Sequence, residues 1–570
     1  MTSWVNKSIF YHLYPLGFCN APEYNDNVKV NRLDKFIEWI PHLKELGVNA
    51  VYFGPVFQST KHGYDTKDYY NIDSRLGDRE SFKNICNILH SNGIKIVLDG
   101  VFNHVGRDFW AFKDVQNKRE NSEYCDWFHN IRFNGRSPLG DPFVYEGWGG
   151  CFDLVKLNLK NPNVVKHLLG AVELWIDEFG IDGLRLDAAD CVDLDFFKQL
   201  RTFCKSKRND FWLMGEIIHG NYNRWANKDT LDSVTNYECY KGLYSSHNDH
   251  NYFEIAHSLC RQFEQGGVYQ NLCLYTFLDN HDVNRISSSL RDKNHLKNCY
   301  TLMYCMPGVP SIYYGSEWGI EGTRTKNSDV ALRPALDLGK IPNADFSLNE
   351  YLKVLGKVRN NLEALQFGNY KNEVIKNEQL VFSRSYNNQL VYVALNISSV
   401  TQTVEFNVQS NCSKLTDALT NDTFDNTGYV KIPVPTNSAR ILVMNNGEYS
   451  INLNSDNVMN DNVTDVGITK DDIASDNVEQ NIELPITDDL NNETATIQIE
   501  RIPEEVTLGN YRHFKGNEYQ VIAIGRHTET NEELVVYKDT TSHKIWVRPY
   551  SMFIDLVEID GKYVPRFTKL

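Results

Sequence analysis

The chain has 570 residues, of which 41% are hydrophobic and 12% aromatic, so it is too long for one hydrophobic core and apolar enough to fold as several domains. Its formal net charge of −16 argues against a nucleic-acid partner, because phosphate binding needs clustered Lys and Arg. Residues 446–500 hold thirteen Asp or Glu and one Lys, so one segment carries most of the excess charge.

The N-terminal residues contain no targeting pattern. MTSWVNKSIFYHLYP has no basic region followed by an apolar run, and no apolar stretch of the chain approaches the length of a membrane span. The twelve cysteines are scattered without a C-x-x-C pair, which is typical of reduced thiols. We therefore expect a cytoplasmic protein with no membrane partner.

Eight short β-branched or aromatic runs alternate with helical periodicity over the first 365 residues. The runs are 8–15, 49–55, 94–100, 181–187, 211–216, 233–238, 272–278 and 309–315. Helical patterns at 33–46, 80–92 and 163–179 lie among these runs, and a further helix is predicted at 348–365. Strand–helix alternation predicts a parallel sheet, and eight units predict an α/β fold with a closed (β/α)8 TIM barrel in residues 1–365.

The interval between the third and fourth runs is about eighty residues, which is too long for a simple barrel connection. It is rich in aromatic residues, Gly and Asn without a clear helical period. We interpret it as a small inserted domain at about 105–160. Trp110, Trp127 and Trp148 in this segment fit a sugar-stacking surface and a domain core equally well.

The pattern changes to period two after residue 365. Strands at 389–396, 403–408, 429–434 and 439–444 predict an antiparallel β-sandwich over 366–445. Residues 446–503 are acidic and Asn-rich, with too few large apolar residues for a core, so we expect a disordered linker. Short strand patterns in 504–570 predict a small terminal β-barrel, with Trp546 in its core.

Catalytic groups of such barrels lie at the carboxyl ends of the strands and in the loops that follow. The predicted ends read DGVFNH (99–104), GLRLDAAD (183–190), GE (215–216) and LDNHD (278–282). Every one of these ends carries a carboxylate, and two of them carry a histidine. The sequence therefore places several acidic groups around one barrel mouth.

The fourth and fifth strand ends carry a carboxylate pair suited to glycoside cleavage. Alternation in LRLD places Arg185 and Asp187 on one strand face, and the guanidinium should lower the pKa of Asp187 and keep it ionised. Glu216 follows the apolar run FWLMG, where desolvation raises a carboxyl pKa. A protonated acid beside an ionised carboxylate on neighbouring strands is the arrangement of a retaining glycoside hydrolase.

Together with the long third loop, these four strand ends have the order and spacing of the signature regions of the α-amylase family, glycoside hydrolase family 13. The sequence resembles that family over residues 1 to about 445. The resemblance implies that 105–160 is the family's inserted domain B. It implies that Asp187 is the nucleophile, that Glu216 is the general acid/base, and that Asp282 is a third carboxylate that holds sugar hydroxyls and favours ring distortion.

The same resemblance implies substrate-binding residues. His104 and His281 would hydrogen-bond the sugar in the reacting subsite, and Arg185 would orient the nucleophile. Within HGYDTKDYYNID, Tyr64 resembles the tyrosine that stacks under the reacting glucose. On a looser match, Asp329 and Arg333 resemble positions that contact an outer sugar.

Two further residues of the third strand end are predicted to support the site. Asp99 is expected to hold the loop that presents His104. Asn103 is a calcium ligand in some family members, but 105–160 offers no convincing set of oxygen ligands. The resemblance implies no required cofactor and leaves calcium binding open.

Among subgroups, the layout resembles cyclomaltodextrinases and neopullulanases most closely, as in YFGPVFQSTKHGYDTKDYYNIDSRLGD (52–78). The first predicted barrel strand begins near residue 8, so we expect no counterpart of the N-terminal sandwich of those enzymes. Ile217 and Ile218 stand where many members place a tryptophan for the acceptor sugar. Residues 508–570 resemble a small bacterial SH3-like domain of uncharacterised function, for which a glucan partner and a protein partner are both open.

We expect a retaining hydrolase of α-1,4-glucosidic bonds in maltooligosaccharides or related α-glucans, acting through a covalent glycosyl-enzyme intermediate. One alternative is a transglycosylase or glucoside isomerase that uses the same site. A second alternative, from another class, is a non-catalytic carbohydrate-binding barrel. The presence of Asp187, Glu216 and Asp282 together argues against the second alternative.

Overall fold

The computed structural model describes residues 3–326, 328–408, 413–445, 506–514, 516–526, 533–559 and 562–570. The predicted linker at 446–503 lies outside the described residues, so its disorder stays a prediction. The chain divides into two compact units, Met1–Met459 and Asn460–Leu570, which are described separately below. Within the described ranges, no helix has both the length and the apolar content needed to cross a membrane.

Eight parallel strands form the central barrel of the first unit. They are Phe10–Leu13, Ala50–Phe53, Lys95–Gly100, Gly183–Leu186, Trp212–Gly215, Ser233–Val234, Tyr275–Phe277 and Val309–Tyr313. Each strand pairs with its sequence neighbour, the first pairs with the eighth, and a parallel bridge between Thr235 and Tyr275 joins the sixth to the seventh. The predicted (β/α)8 TIM barrel is confirmed, and every strand lies inside a predicted run.

Helices cover the outside of the strands. Those of the first unit are Ser3–Asn6, Pro15–Phe18, Ile40–Glu45, Arg79–Ser91, Trp110–Lys118, Pro162–Phe179, Leu194–Lys207, Tyr237–Asn248, Tyr252–Phe263, Ile286–Ser289, Leu296–Cys305, Phe346–Asn361 and Glu363–Phe367, with a 3-10 helix at Arg32–Trp39. Local chemistry sets their ends: before Pro162–Phe179 the side chain of Asn161 caps the first turn, and after it Gly180 adopts φ 68°.

The long connection after the third strand contains a small antiparallel sheet of strands His104–Gly106, Gly147–Trp148 and Cys151–Lys156. It also contains the helix Trp110–Lys118, which the sequence analysis did not predict, because only three of its residues form a buried apolar face. Trp127 is buried, whereas Trp110 and Trp148 are 41% and 36% exposed. The strand His104–Gly106 connects this sheet directly to the barrel mouth.

A β domain follows the last barrel helices. Its strands are Asn369–Ile375, Gln379–Tyr386, Gln389–Asn396, Gln402–Asn407, Lys414–Asp417, Thr423–Asp425, Tyr429–Val434 and Ser438–Asn445. Six of these strands form one sheet, and Gln402–Asn407 pairs with Tyr429–Val434 in a second sheet. Tyr392 of the first sheet and Phe406 of the second belong to one buried cluster, so the two sheets pack face to face.

The second unit is built from short antiparallel strands. They are Gly509–His513, Glu518–Arg526, Glu533–Asp539, Ile545–Pro549, Leu556–Ile559, Lys562–Pro565 and Phe567–Lys569, with a helical turn at Tyr550–Phe553. Tyr511, Tyr537 and Phe567 are at the centre of its core. The prediction that Trp546 is a core residue was wrong: this residue is 52% exposed, because Ile545–Pro549 is an edge strand of the five-stranded sheet.

Candidate active site

The fourth and fifth barrel strands bring two predicted catalytic carboxylates side by side. Leu186 pairs with Gly215 in the parallel register, and the Glu216 N–H donates to the Leu186 carbonyl oxygen at 2.9 Å. Asp187 and Glu216 therefore follow paired positions on adjacent strands. Adjacent strands in a sheet lie about 4.8 Å apart, so both side chains start from the same part of the barrel mouth.

Arg185 connects three carboxylates at this mouth. Its Nη1 lies 2.8 Å from Oδ1 of Asp187 and 2.9 Å from Oδ1 of Asp99, and its Nη2 lies 2.8 Å from Oε1 of Glu216. The guanidinium is 3% exposed. A planar fork with several donors can hold separate carboxylates in fixed relative positions, which the single ammonium group of a lysine cannot.

Asp99 supports the site through contacts other than those expected. Its Oδ2 accepts hydrogen bonds from the hydroxyls of Tyr52 at 2.7 Å and Tyr64 at 3.1 Å, in addition to the Arg185 contact. Asp99 therefore positions the guanidinium and Tyr64, rather than the loop that carries His104. Tyr52 was not predicted, although its place on the second strand gave it an inward-facing position.

The third predicted carboxylate, Asp282, is held from two sides. His281 Nε2 lies 3.0 Å from Oδ2 of Asp282, and Arg333 Nη2 lies 3.1 Å from Oδ1. Arg333 also donates from Nε to the His281 carbonyl oxygen at 3.0 Å and lies 3.2 Å from Oδ2 of Asp329. Asp329 therefore reaches this cluster through Arg333.

Tyr64 and His281 form an aromatic stack beside the carboxylates. Their rings are 5.3 Å apart at an angle of 10°, and the Tyr64 hydroxyl is hydrogen-bonded to His281 Nε2. Tyr14 stacks on the same histidine at 5.9 Å and 15°, and the Arg333 guanidinium lies 4.6 Å from the Tyr14 ring centre. Tyr14 was missed, because a tyrosine in the first strand–helix connection carries no distinctive sequence pattern.

His104 lies near the predicted nucleophile, Asp187, at the third strand end. Its Nε2 lies 3.8 Å from Oδ2 of Asp187, and its ring stacks on Trp148 with a centroid distance of 5.4 Å. Asn103 lies behind it, with Nδ2 3.2 Å from His104 Nδ1. The eleven predicted site residues are thus brought into one connected cluster.

Burial dominates the acid–base behaviour of the central pair. Burial raises the pKa of Asp187 well above its usual range; Arg185 lowers it, and the neighbouring Glu216 raises it. Arg185 lowers the pKa of Asp187, as predicted, but the loss of water and the neighbouring like charges outweigh this effect, so the net shift is upward. Burial also raises the pKa of Glu216, against the effect of Arg185. The two groups compete for a shared proton.

Asp282 has the opposite behaviour. Burial alone would raise its pKa, but His281 and Arg333 lower it well below the usual range of a carboxyl group. The site therefore contains one carboxyl group with a lowered pKa and a coupled pair with raised pKa values, in which protonation of one member favours ionisation of the other. Such separation of pKa values among neighbouring acids is typical of acid–base catalysis.

Ala188 holds Glu216 through its backbone. This residue has φ 44° and ψ 44°, a left-handed conformation uncommon for a residue with a Cβ, and its N–H donates to Glu216 Oε2 at 3.1 Å. The left-handed backbone next to Asp187 thus directs a donor to Glu216. No sequence signal marks an alanine for this conformation.

Metal ligands are not grouped at the site. No group of three or more His, Cys, Asp or Glu side chains within the described ranges is arranged to hold a metal ion. The cluster brings three carboxyl groups, Asp187, Glu216 and Asp282, to one end of the barrel, with Arg185 bound to the first two and Arg333 to the third. This set can act on an acetal carbon.

Comparisons with known proteins identify the family of the barrel. Residues 13–337 match the family model described as alpha amylase, catalytic domain. Residues 509–569 match a second family, described as a protein of unknown function (DUF1653). The second match assigns no activity to the C-terminal unit.

Several characterised relatives are similar over most of the chain. A cyclomaltodextrinase of a Bacillus species is 31% identical over 419 residues, covering 69% of this chain and 73% of that enzyme. An intracellular maltogenic amylase of Bacillus subtilis (strain 168) is 31% identical over 443 residues, covering 73% of each chain. A solved structure of a cyclomaltodextrinase aligns with a TM-score of 0.69 at 29% identity, covering 77% of this chain and 79% of that one. The chain is a glycoside hydrolase that belongs to the α-amylase family.

Proposed function

We propose that the protein hydrolyses α-1,4-glucosidic bonds of maltooligosaccharides or related α-glucans with retention of configuration. The observation that carries this proposal is the Arg185 guanidinium, which contacts Asp187 and Glu216 at 2.8 Å each from neighbouring strand ends. Retaining enzymes keep their two carboxyl groups about 5 Å apart, whereas inverting enzymes leave room for a water between them. Paired positions on adjacent strands support the shorter separation.

The proposed reaction has two steps. In the first, an Asp187 carboxylate oxygen bonds to the anomeric carbon, the glycosidic C–O bond breaks, and Glu216 gives its proton to the leaving oxygen. In the second, Glu216 takes a proton from water, the water oxygen bonds to the anomeric carbon, and Asp187 leaves. The pKa values of Asp187 and Glu216 are both raised and the two groups are close, so one proton on the pair leaves the other carboxyl group ionised. The first step needs that proton on Glu216 and the negative charge on Asp187.

The remaining site residues would hold the sugar. Asp282, kept ionised by His281 and Arg333, can accept hydrogen bonds from two sugar hydroxyls. Tyr64 offers an aromatic face for the apolar side of the ring, and His104 lies on the Asp187 side of the opening. Asp329 would act through Arg333, with which it shares an ion pair.

Substrate class is proposed from the relatives. Proteins named cyclomaltodextrinase, maltogenic amylase and neopullulanase are similar over 69–73% of the chain, and each name refers to an α-glucan. Digestion of maltotriose followed by product separation tests the activity. Glucose and maltose support hydrolysis, products longer than maltotriose would support the transglycosylase alternative, and no turnover of any α-glucan would contradict the proposal.

We also propose the division of the chain into domains. Residues 1–365 would form the catalytic barrel with domain B at about 105–160, 366–445 the sandwich, 446–503 a linker, and 504–570 a separate module with a glucan or protein partner. Retention on insoluble starch by the full chain, but not by a chain that lacks 504–570, would favour the glucan partner. We propose that the protein acts in the cytoplasm.

A further inference from the structure

The edge strand Ile545–Pro549 of the second unit carries a row of exposed apolar side chains. Ile545, Trp546 and Val547 are 62%, 52% and 58% exposed. The strand is the last of its five-stranded sheet: it pairs with Glu533–Asp539 on one side, and no described strand pairs with its other side. Folded proteins usually protect such an edge with charges, a bulge or a covering segment, so an open apolar row indicates a binding surface.

The register of the sheet identifies the backbone groups that face the open side. Where the pairing starts, the Asp539 N–H donates to the Lys544 carbonyl oxygen at 2.9 Å. Opposite residues of an antiparallel pair are alternately hydrogen-bonded, so the peptide groups of Trp546 point into the sheet, and those of Ile545 and Val547 point away from it. Two N–H and two C=O groups are therefore available to an added strand.

Trp546 lies on the core side of the sheet. It is opposite Tyr537, and Arg548 is opposite Val535, and both of these partners are buried. Because no described strand lies beyond Trp546, its ring stays half-exposed where the core ends. An aromatic side chain on an added strand would pair with this ring and extend the core.

Two cations flank the tryptophan on the same face. Lys544 and Arg548 each lie two residues from Trp546, so the three side chains share one side of the strand. Arg548 Nε donates to the Tyr537 hydroxyl at 3.2 Å, which leaves the other guanidinium N–H groups for a partner. Among the described residues of this unit the ion pairs are formed by other side chains, namely Arg512–Glu518, Arg526–Glu533 and Arg566–Asp555.

We propose that the edge strand Ile545–Pro549 binds an extended segment of a partner protein by strand addition, with apolar side chains at the centre of that segment and acidic ones at its ends. The added backbone would pair with the outward groups of Ile545 and Val547. One acid opposite Lys544 and another opposite Arg548 would match the charges. This binding is independent of the proposed hydrolysis, and it selects a protein, rather than a glucan, as the partner of residues 504–570.

Two other occupants fit the edge less well. A second copy of the strand, in antiparallel pairing centred on Trp546, would set Lys544 of each copy opposite Arg548 of the other, and like charges directly opposite destabilise a strand pair. A glucan can stack on Trp546, but it has no row of amide groups at the spacing of a strand to match Ile545 and Val547.

The test measures the fluorescence anisotropy of a fluorescein-labelled peptide, Glu-Val-Tyr-Val-Glu with a capped C-terminus, during titration with the full-length protein. The two valines would pair with Ile545 and Val547, and the tyrosine with Trp546. We expect a Kd on the order of 100 µM, as for a short strand held by a few backbone hydrogen bonds. Methylation of both valine nitrogens, which removes two N–H donors and no side chain, should abolish binding. The peptide Lys-Val-Tyr-Val-Lys should bind at least about tenfold more weakly.

Substitutions in the protein test the same contacts. Val547→Pro removes an outward N–H but none of the hydrogen bonds within the sheet, and it should weaken binding by about tenfold or more. Trp546→Ala should weaken it by a similar factor. Circular dichroism checks that both variants stay folded. The matched control is Ile524→Ala, because Ile524 is 40% exposed but lies on Glu518–Arg526, which has a strand on each side. It should leave the Kd unchanged.

Four results would overturn the inference. They are no rise in anisotropy at about three times the expected Kd, equal binding of the methylated peptide, loss of retention on insoluble starch in Trp546→Ala, and a dimer in sedimentation that Val547→Pro dissociates. The third result would assign the edge to a glucan and the fourth to a second copy of the chain. Trp546→Ala should hydrolyse maltotriose at the wild-type rate in every case, so these results leave the proposed hydrolysis intact.

Discussion

Arg185 Nη2 lies 2.8 Å from Glu216 Oε1, so the group proposed as the general acid is held by the same guanidinium that contacts the proposed nucleophile. The planar Arg185 guanidinium fixes the distance between the two carboxylates and places a positive charge next to both. Since Arg185 is only 3% exposed, water cannot readily replace its contacts with the carboxylates. Substitution of this residue should therefore affect stability and activity together.

Arg185→Lys should lower the free energy of unfolding by about 3 kcal/mol, because one ammonium cannot pair with three buried carboxylates. Activity on maltotriose should fall by about 100-fold or more, since the acid and nucleophile lose their common support. Chemical denaturation and initial-rate measurements check the two effects. Arg201→Lys is the control: Arg201 pairs with Asp232 and is 21% exposed, so the loss should stay below about 1 kcal/mol. Equal stability of Arg185→Lys and the wild type would contradict this reading.

Glu216→Gln should reduce kcat on maltotriose by about 10²–10⁴-fold, because the amide cannot donate a proton to the leaving oxygen. Binding of the substrate, measured by calorimetry, should change little. Asp190→Asn is the control, since Asp190 is an exposed acid three residues after the proposed nucleophile and should be dispensable. Near-normal turnover by Glu216→Gln would remove Glu216 from the proposed role.

The stability of the wild type should depend on pH through Glu216. Its pKa is raised by burial in the folded state, so its stabilising contribution is present below the ordinary carboxyl pKa of about 4.3 and is lost as pH rises through the raised value. Glutamine does not titrate in this range. The difference in Tm, Glu216→Gln minus wild type, should therefore increase as pH rises from about 4.3. Thermal unfolding across this range measures it, and a difference that stays constant or falls would be inconsistent with a raised pKa.

Removal of the second compact unit should spare catalysis. All eleven predicted site residues lie in the unit Met1–Met459. A chain that ends at residue 459 should hydrolyse maltotriose within about twofold of the full chain. A larger fall, with an unchanged Tm of the barrel, would show that residues 460–570 contribute to the reaction.

The sequence predicted the barrel well, because parallel strands buried on both faces read as short apolar runs and their carboxyl ends carry the polar residues. The register of Leu186 and Gly215, which sets Asp187 beside Glu216, follows from that topology. The inserted helix Trp110–Lys118 was missed because its apolar face has only three residues. The burial of Trp546 was predicted wrongly because an apolar residue on an edge strand has the same local sequence pattern as one in a core.

The electrostatics of the site could not be predicted from neighbouring residues alone. Arg185 beside Asp187 suggested a low pKa, but the net shift depends on burial and on carboxylates that arrive from other strands. The contact of the Ala188 N–H with Glu216 likewise depends on a left-handed backbone that the sequence does not mark. Both features arise only when distant strand ends meet.

Retention of configuration follows directly from the proposed pairing of Asp187 and Glu216, and the anomer released first reports it. Proton NMR of maltotriose hydrolysis, recorded before mutarotation equilibrates the products, measures that anomer. The account predicts that the α-anomer of the newly formed reducing end appears first. Initial appearance of the β-anomer would contradict the double-displacement mechanism and the assignment of Asp187 as its nucleophile.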